Sequence, residues 1–145
     1  GRGTTFAFQV IGAPWIDPDA LLRKLRDAGS EVEEALAGVE VTTTEFTPHA
    51  PSDGKYDGVL LRGVRFRVKD RASYDPTKLA VALFVSLHSL YSDSLRIRPT
   101  RFDQLAAGPE LRLAIDSGRT APEIWGRWSD ALAQFQQRRA KYLLY

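Results

Sequence analysis

The first residues, Gly1-Arg2-Gly3-Thr4-Thr5, form the segment of the chain most suited to binding a ligand. Glycines on both sides of Arg2 let the backbone bend tightly, so that the guanidinium can reach a partner. Its planar fork of donors suits a carboxylate or a hydroxyl-rich ligand. The alternative is an arginine in a frayed terminus, surrounded by water. The residues alone leave both interpretations open.

Trp15 is a second candidate, in a loop between a strand-like segment and a helix that begins at Asp17-Pro18. Loops after strands commonly carry binding sites, and an indole face can stack on a sugar or a base. The alternative is a hydrophobic staple, in which Trp15 packs onto the helix that follows. The residues favour the staple.

Other residues offer weaker chemistry. His49 and Asp53 share a loop, but a second pair of ligands at helical or strand spacing is missing, so we expect no metal and no cofactor. Among the carboxylates without a predicted structural role, Asp70 is the best candidate for chemistry. The alternative, which the residues favour, is a turn residue or a member of an ion pair. Helix caps account for four further carboxylates: Asp17, Asp75, Asp103 and Glu123. The chain has no Cys, and it lacks nucleophile-elbow, phosphate-loop and nucleotide motifs.

Charge and hydropathy argue against two classes of partner. The net charge is only +2, from 20 basic and 18 acidic residues. One basic set is predicted to lie on a strand face, and a second near the C-terminus: Arg62, Arg65, Arg67 and Lys69, then Arg138, Arg139 and Lys141. A solvated sheet face explains the first set better than nucleic-acid binding does. No apolar run approaches the ~20 residues of a membrane helix. We therefore expect neither nucleic acid nor membrane as a partner.

The elements that position these residues predict an α+β fold, a small mostly antiparallel sheet of about three strands packed against several helices. Strands are predicted over Thr4–Ile11, Val39–Phe46 and Val59–Val68, the last with Val64, Phe66 and Val68 buried. Helices begin at Asp17-Pro18 and Asp75-Pro76, and shorter ones near Phe102 and Glu110. A capping box at Thr120 and Glu123 begins a long last helix that reaches Tyr142. Its predicted buried stripe is Ile124, Trp128, Leu132, Phe135 and Tyr142.

The two ends of the chain predict a missing neighbour. The initial glycine-flanked loop has no strand or helix before it to hold it. The apolar ending, Tyr142-Leu143-Leu144-Tyr145, must dock on its own core or on a neighbouring domain. We therefore expect residues 1–145 to be a single domain at the C-terminal end of a larger protein.

Several blocks of sequence, in order along the chain, resemble the C-terminal part of the NamZ-type exo-β-N-acetylmuramidases. They are Gly1–Thr5, Phe8–Asp17, Phe46–Pro48, Lys55–Gly58 with Gly63-Val64 and Asp70-Arg71, and the closing residues from Phe102 to Tyr145. The resemblance implies a bacterial two-domain enzyme with an N-terminal Rossmann-like domain and a smaller auxiliary domain. The active site would lie in the cleft between them. The implied reaction removes terminal N-acetylmuramic acid from the non-reducing end of peptidoglycan fragments.

For this chain, the resemblance implies an auxiliary domain without catalytic residues, because the family's catalytic glutamate belongs to the N-terminal domain. Arg2 and Thr4 match the part of the motif that faces the cleft. With Trp15, they are the candidate substrate-binding residues. The implied partners are the N-terminal catalytic domain of the same protein and a muropeptide or another muramic-acid-containing saccharide, in a periplasmic or secreted setting.

A stand-alone binding or interaction module without catalytic activity is the alternative. The auxiliary domain predicts an exposed apolar face that the larger domain would cover, with Arg2 and Trp15 on one side. The stand-alone module predicts a self-contained polar surface and an ordered start before Thr4.

Overall fold

The computed structural model describes residues 1–143 and divides the chain into two compact units, Gly1–Arg96 and Ile97–Tyr145. The described residues form three strands in one antiparallel sheet and seven helices. This confirms the predicted α+β class. No helix in residues 1–143 is long and apolar enough to cross a bilayer.

The first unit contains the whole sheet. Strand β1 spans Val10–Ala13, β2 spans Val39–Phe46 and β3 spans Leu61–Val68. The order is β1-β3-β2, and both pairings are antiparallel. The prediction for β2 is confirmed at both ends, and β3 begins two residues later than predicted.

The predicted first strand is wrong over residues 4–9, which form turns instead. The Thr4 hydroxyl oxygen accepts the N–H of Phe6 at 3.0 Å, and the N–H of Gln9 donates to the carbonyl oxygen of Phe6 at 2.9 Å. Such local bonds compete with a sheet ladder. Phe8 has a left-handed φ of 63°, which no strand residue adopts. The strand forms where Val10–Ala13 meets β3.

Three helices complete the first unit: α1 (Pro18–Arg26), α2 (Ser30–Ala35) and α3 (Pro76–Tyr91). Two begin as predicted, because the carboxylates of Asp17 and Asp75 each accept two backbone N–H groups of the first turn. Helix α1 packs against α2, α3, β2 and β3. The buried side chains of these helices are Leu21, Leu25, Val32, Ala35, Leu79, Val81, Ala82, Leu83, Ser86 and Leu87.

Both faces of the sheet carry buried residues. Strand alternation puts Val64 on one face, where it is fully buried, but Phe66 is only half-buried and Val68 is exposed. The predicted buried stripe of β3 is therefore right only at Val64. The opposite face carries a buried cluster of Val10, Phe46 and Leu61, against which Phe6 packs.

The second unit is helical over its described residues: α4 (Pro99–Leu105), α5 (Glu110–Asp116), α6 (Ala121–Gly126) and α7 (Ser129–Ala140). The predicted capping box is confirmed, with the N–H of Thr120 donating to Glu123 Oε2 at 2.7 Å. Asp103 is not a cap, contrary to prediction. It lies within α4 and accepts two hydrogen bonds from Arg112 of α5, each 2.8 Å long.

The last helix is shorter than predicted, because α6 ends at Gly126 and α7 begins at Ser129. Glycine is a poor helix former, and it interrupts the predicted span. The expected buried stripe is also wrong beyond Ile124: Trp128 is half-buried, Phe135 is 51% exposed, and Leu132 and Tyr142 are exposed. The predicted apolar ending includes Leu144 and Tyr145, which lie outside the described residues.

Candidate functional site

An open cleft of about 330 Å³ lies where the initial loop meets the sheet. We call it the Arg2 cleft. The initial loop, the strands and the β2–β3 connection all contribute to it. Its lining residues are Gly1, Arg2, Val10, Ile11, Gly12, Phe46, Pro48, Pro51, Asp53, Lys55, Tyr56 and Leu61. The initial loop is therefore packed against the sheet and the β2–β3 connection and is not a frayed end.

Arg2 is held at the rim of this cleft by Asp53. The Arg2 Nη1 atom lies 2.8 Å from Asp53 Oδ2, and the Lys55 N–H donates to Asp53 Oδ1 at 3.3 Å. The Lys55 N–H first, and then the Arg2 guanidinium, hold the pKa of Asp53 below its ordinary value. The Arg2 side chain remains 69% exposed. The pair therefore orients the guanidinium without enclosing it.

Gly3 lets the initial loop lie directly on the β2–β3 connection. Its φ is 71°, and a Cβ added there would come within 2.8 Å of the carbonyl oxygen of His49. The N–H of His49 donates to the carbonyl oxygen of Gly3 at 2.8 Å. Any larger residue at this position would clash with backbone, so the glycine beside Arg2 is required by close approach as well as by its φ.

Phe46 lines the Arg2 cleft together with Val10 and Leu61, and these three buried residues are its apolar floor. Gly12 pairs with Gly63 across β1 and β3. A Cβ on Gly12 would lie 2.8 and 2.9 Å from two atoms of the Phe46 ring. The missing side chain at Gly12 therefore lets this ring lie over the sheet. The result is an apolar floor with a charged rim, a combination typical of ligand pockets.

Lys55 and Tyr56 complete the rim, and neither was among the ligand-binding residues predicted from the sequence. Tyr56 has a left-handed φ of 57°. Its turn is fixed by the Gly58 N–H, which donates to the Pro48 carbonyl oxygen at 2.9 Å, and by Asp57, whose carboxylate accepts the Ala50 N–H at 2.8 Å. Left-handed conformations of bulky residues are strained and cluster at functional sites. The sequence signal in the β2–β3 connection is its two glycines, Gly54 and Gly58, which predict a loop but not a binding site.

Thr4 lies in a second open cleft, of about 440 Å³, which shares Phe46 with the first. The Thr4 hydroxyl donates to the carbonyl oxygen of Gly1 at 2.7 Å and accepts the Phe6 N–H. Both of these bonds stay within the initial loop. Thr4 therefore shapes the loop that presents Arg2.

Trp15 lines neither of these two clefts among the described residues. Its ring packs against Tyr91 at the end of α3, with centroids 5.3 Å apart and planes inclined by 58°. The Tyr91 hydroxyl also bonds the backbone of Asp17, accepting its N–H at 3.0 Å and donating to its carbonyl oxygen at 3.1 Å. This contact joins the start of α1 to the end of α3. A ligand role for Trp15 stays a prediction.

The remaining candidates have ordinary structural partners. Asp70 accepts the Ser73 hydroxyl at 2.6 Å and the Ala72 N–H at 2.9 Å, and these bonds, the first above all, hold its pKa below the usual value. It is therefore the expected turn residue. Within residues 1–143, no group of three or more His, Cys, Asp or Glu is placed to hold a metal ion.

The basic residues of β3 do not share one face, contrary to prediction, because strand alternation separates Arg62 from Arg65 and Arg67. Arg62 pairs with Glu45 at 3.1 Å. Arg67 and Lys69 lie 3.7 and 3.3 Å from Glu40. Arg65 instead covers the Phe6 ring, at 4.0 Å from its centroid. Acids on β2 therefore offset three of the four cations.

Comparison with known proteins identifies relatives over the whole chain. The family model described as "Exo-beta-N-acetylmuramidase NamZ, C-terminal" matches residues 1–145. The peptidoglycan beta-N-acetylmuramidase NamZ of Bacillus subtilis (strain 168) is 33% identical over 146 residues, which cover 100% of this chain and 33% of that protein.

A crystal structure of a DUF1343 family protein from Bacteroides fragilis NCTC 9343 has the same fold, with a TM-score of 0.80 at 20% identity. The match covers 99% of this chain and 36% of that one. The chain thus spans about a third of the length of each of these two relatives.

Proposed function

The chain belongs to the family of NamZ C-terminal domains, and on this premise we propose that it is the auxiliary domain of a cell-wall glycoside hydrolase. The full-length enzyme would remove terminal N-acetylmuramic acid from peptidoglycan fragments by hydrolysis. This chain would contribute one wall of the substrate cleft, and an N-terminal domain of the same polypeptide would contribute the other wall and the catalytic acid.

The environments of the carboxylates that line the two clefts support the proposal that this chain does not supply the catalytic acid. Glycoside hydrolysis generally uses two carboxyl groups, one of them a general acid with a raised pKa. Among the described lining residues of the two clefts, the carboxylates are Asp53 and Glu45. The pKa of Asp53 is lowered, and Glu45 pairs with Arg62 at 3.1 Å. Neither has the environment of a general acid, which favours a binding wall.

The Arg2 cleft has the chemistry to bind an acidic sugar. N-acetylmuramic acid carries a carboxylate on its lactyl group as well as hydroxyls and an apolar ring face. Arg2 and Lys55 supply cations at the rim, and Phe46 is part of an apolar floor. One donor of the Arg2 guanidinium holds Asp53, and the side chain is largely exposed, so the guanidinium is held at the rim and remains accessible before a ligand arrives.

The test is titration calorimetry together with a turnover assay. The 145-residue chain and the full-length protein would each be titrated with N-acetylmuramic acid and with a disaccharide that ends in it. Both would also be assayed on a chromogenic β-N-acetylmuramide. We expect turnover by the full-length protein and none by the chain alone. N-acetylglucosamine, which lacks the lactyl carboxylate, is the matched control ligand and is expected to bind more weakly.

Turnover by the chain alone would refute the assignment of the catalytic acid to another domain. Equal affinity of the full-length protein for the two sugars would refute the role of Arg2 and Lys55 as carboxylate ligands. A full-length protein that neither binds nor hydrolyses the muramide would favour the alternative, a binding or interaction module without catalytic activity.

A further inference from the structure

Phe8 has two unfavourable properties at once. Its side chain is fully exposed, at 103% of the reference area, and its φ is 63°. A left-handed φ is strained for a bulky residue. Full exposure also forgoes the stabilisation that a buried phenyl ring provides. Both costs fall on one residue, which points to a surface outside this chain that buries the ring.

The backbone around Phe8 is fixed. The Gln9 N–H donates to the Phe6 carbonyl oxygen at 2.9 Å, and the Phe66 N–H donates to the Gln9 carbonyl oxygen at 2.7 Å. The Phe6 ring is held under the Arg65 guanidinium, which also donates to Gln9 Oε1 at 3.3 Å. Phe8 therefore projects from a pre-organised turn, which lowers the entropic cost of docking.

The position of Gly1 indicates what covers the ring. The Gly1 nitrogen lies 3.2 Å from the Val10 carbonyl oxygen, and a Cβ on Gly1 would lie 3.2 Å from the Ala7 Cα. A polypeptide joined to Gly1 would therefore start beside the turn that carries Phe8. The chain covers only 33% of the Bacillus relative, so most of such a protein lies outside it.

We propose that Phe8 is an interdomain anchor, whose ring inserts into an apolar pocket on the polypeptide that precedes Gly1 in the full-length protein. The inference rests on the proposed function, because it takes this chain as the C-terminal part of a longer enzyme. The covalent connection at Gly1 keeps the two surfaces at high effective concentration, so that one ring can hold the turn in place.

Thiol labelling of the full-length protein tests the anchor. The 145 residues contain no cysteine, so a thiol introduced at the exposed neighbour Ala7 reports on this turn. The rate at which a maleimide labels Ala7→Cys is measured, and the labelling of the protein without this substitution is subtracted. The result is divided by the labelling rate of the same protein unfolded in urea. We expect it to rise at least about tenfold when Phe8→Gly is added, since protection reflects local closure. Glycine accepts a φ of 63° without strain, so this change removes the ring and preserves the turn.

Two matched variants control the measurement. Phe8→Leu is expected to keep most of the protection, because it retains an apolar side chain. A Glu31→Cys reporter, at an exposed position of α2, is expected to label equally fast with and without Phe8→Gly. Faster labelling at both Ala7→Cys and Glu31→Cys would mean that Phe8→Gly has opened the whole domain. In that case Phe8→Leu becomes the deciding variant. The anchor proposal then requires that Phe8→Leu retain the protection of Ala7→Cys.

An unchanged Ala7→Cys rate in Phe8→Gly would overturn the proposal. Protection that appears only after N-acetylmuramic acid is added would also overturn it and would make Phe8 a sugar contact. Failure of the glycosidase assignment would be seen separately: the full-length protein would not hydrolyse the muramide, while the Ala7→Cys thiol would still be protected.

Discussion

Two arginine–aspartate pairs of this chain have the same closest distance and different geometry. Arg112 donates two hydrogen bonds to Asp103, from Nε and Nη2, each 2.8 Å long, and the two side chains are only 18% and 22% exposed. Arg2 contacts Asp53 through a single Nη1 atom at 2.8 Å, and its side chain is 69% exposed. The first pair joins α4 to α5, and the second lies at the rim of a cleft.

The difference separates structural from ligand-binding roles. A bidentate pair that is largely shielded from water uses the directional strength of the guanidinium to fix two helices. A single exposed contact contributes little to stability, but it orients the rest of the guanidinium for another partner. Residue type alone therefore does not assign a function to an arginine in this chain. The number of contacts and the shielding of each pair support the proposed difference between the roles of Arg112 and Arg2.

Removal of the shielded pair is expected to have the largest effect on stability. Arg112→Ala leaves Asp103 without its two charge-assisted hydrogen bonds, so the thermal midpoint of the chain, followed by circular dichroism, should fall by several degrees. Arg112→Lys is the matched control: it keeps the charge but loses the planar fork, and its midpoint should lie between the other two. An Arg112→Ala midpoint equal to wild type would mean that the pair does not hold α4 and α5 together.

Acid should weaken the same pair. The hydrogen bonds from Arg112 lower the pKa of Asp103, so the folded chain binds this proton less tightly than the unfolded chain does. The stabilisation is complete above the unfolded pKa of about 3.9 and is lost as the pH falls through the lower folded pKa. The difference in midpoint between wild type and Asp103→Asn should therefore shrink below about pH 4. A constant difference down to strong acid would contradict this account.

The smallest effect is expected on the sheet surface. Arg67 lies 3.7 Å from Glu40, and both side chains are about half exposed. Because exposed pairs are worth little, Arg67→Ala should change the free energy of unfolding by about 0.5 kcal/mol or less. Urea denaturation measures this change. The Arg67→Ala variant should also leave turnover by the full-length protein unchanged. A large loss of turnover would place β3 in the functional surface, and a large loss of stability would mean that this exposed pair holds the sheet together.

Local signals allowed the sequence to predict much of the fold. Asp17-Pro18, Asp75-Pro76 and the capping box at Thr120 act within one helical turn, and each begins a helix as expected. Strand β2 was also predicted correctly. The predictions failed where a distant or local contact overrides periodicity, as at Phe8, whose turn depends on Phe6 and Arg65, and at Gly126, which divides the last helix.

The candidate site could be predicted only in part. Arg2 was identified because its flanking glycines are adjacent in sequence. Lys55, Tyr56 and the apolar floor were missed, because they join Arg2 only when the β2–β3 connection folds back onto the initial loop. The gap that admits the Phe46 ring depends on Gly12, which is placed beside the ring by its pairing with Gly63 across β1 and β3. No spacing along the sequence encodes that pairing.

The most direct test of the central claim is the kcat/KM of full-length Arg2→Ala on a chromogenic β-N-acetylmuramide, measured beside Arg67→Ala. We expect kcat/KM to fall roughly ten- to hundredfold for Arg2→Ala, because a lost positioning contact misplaces the substrate. It should stay at the wild-type value for Arg67→Ala, and both variants should keep the wild-type thermal midpoint. Wild-type kcat/KM in Arg2→Ala would contradict the assignment of the Arg2 cleft as a wall of the substrate site.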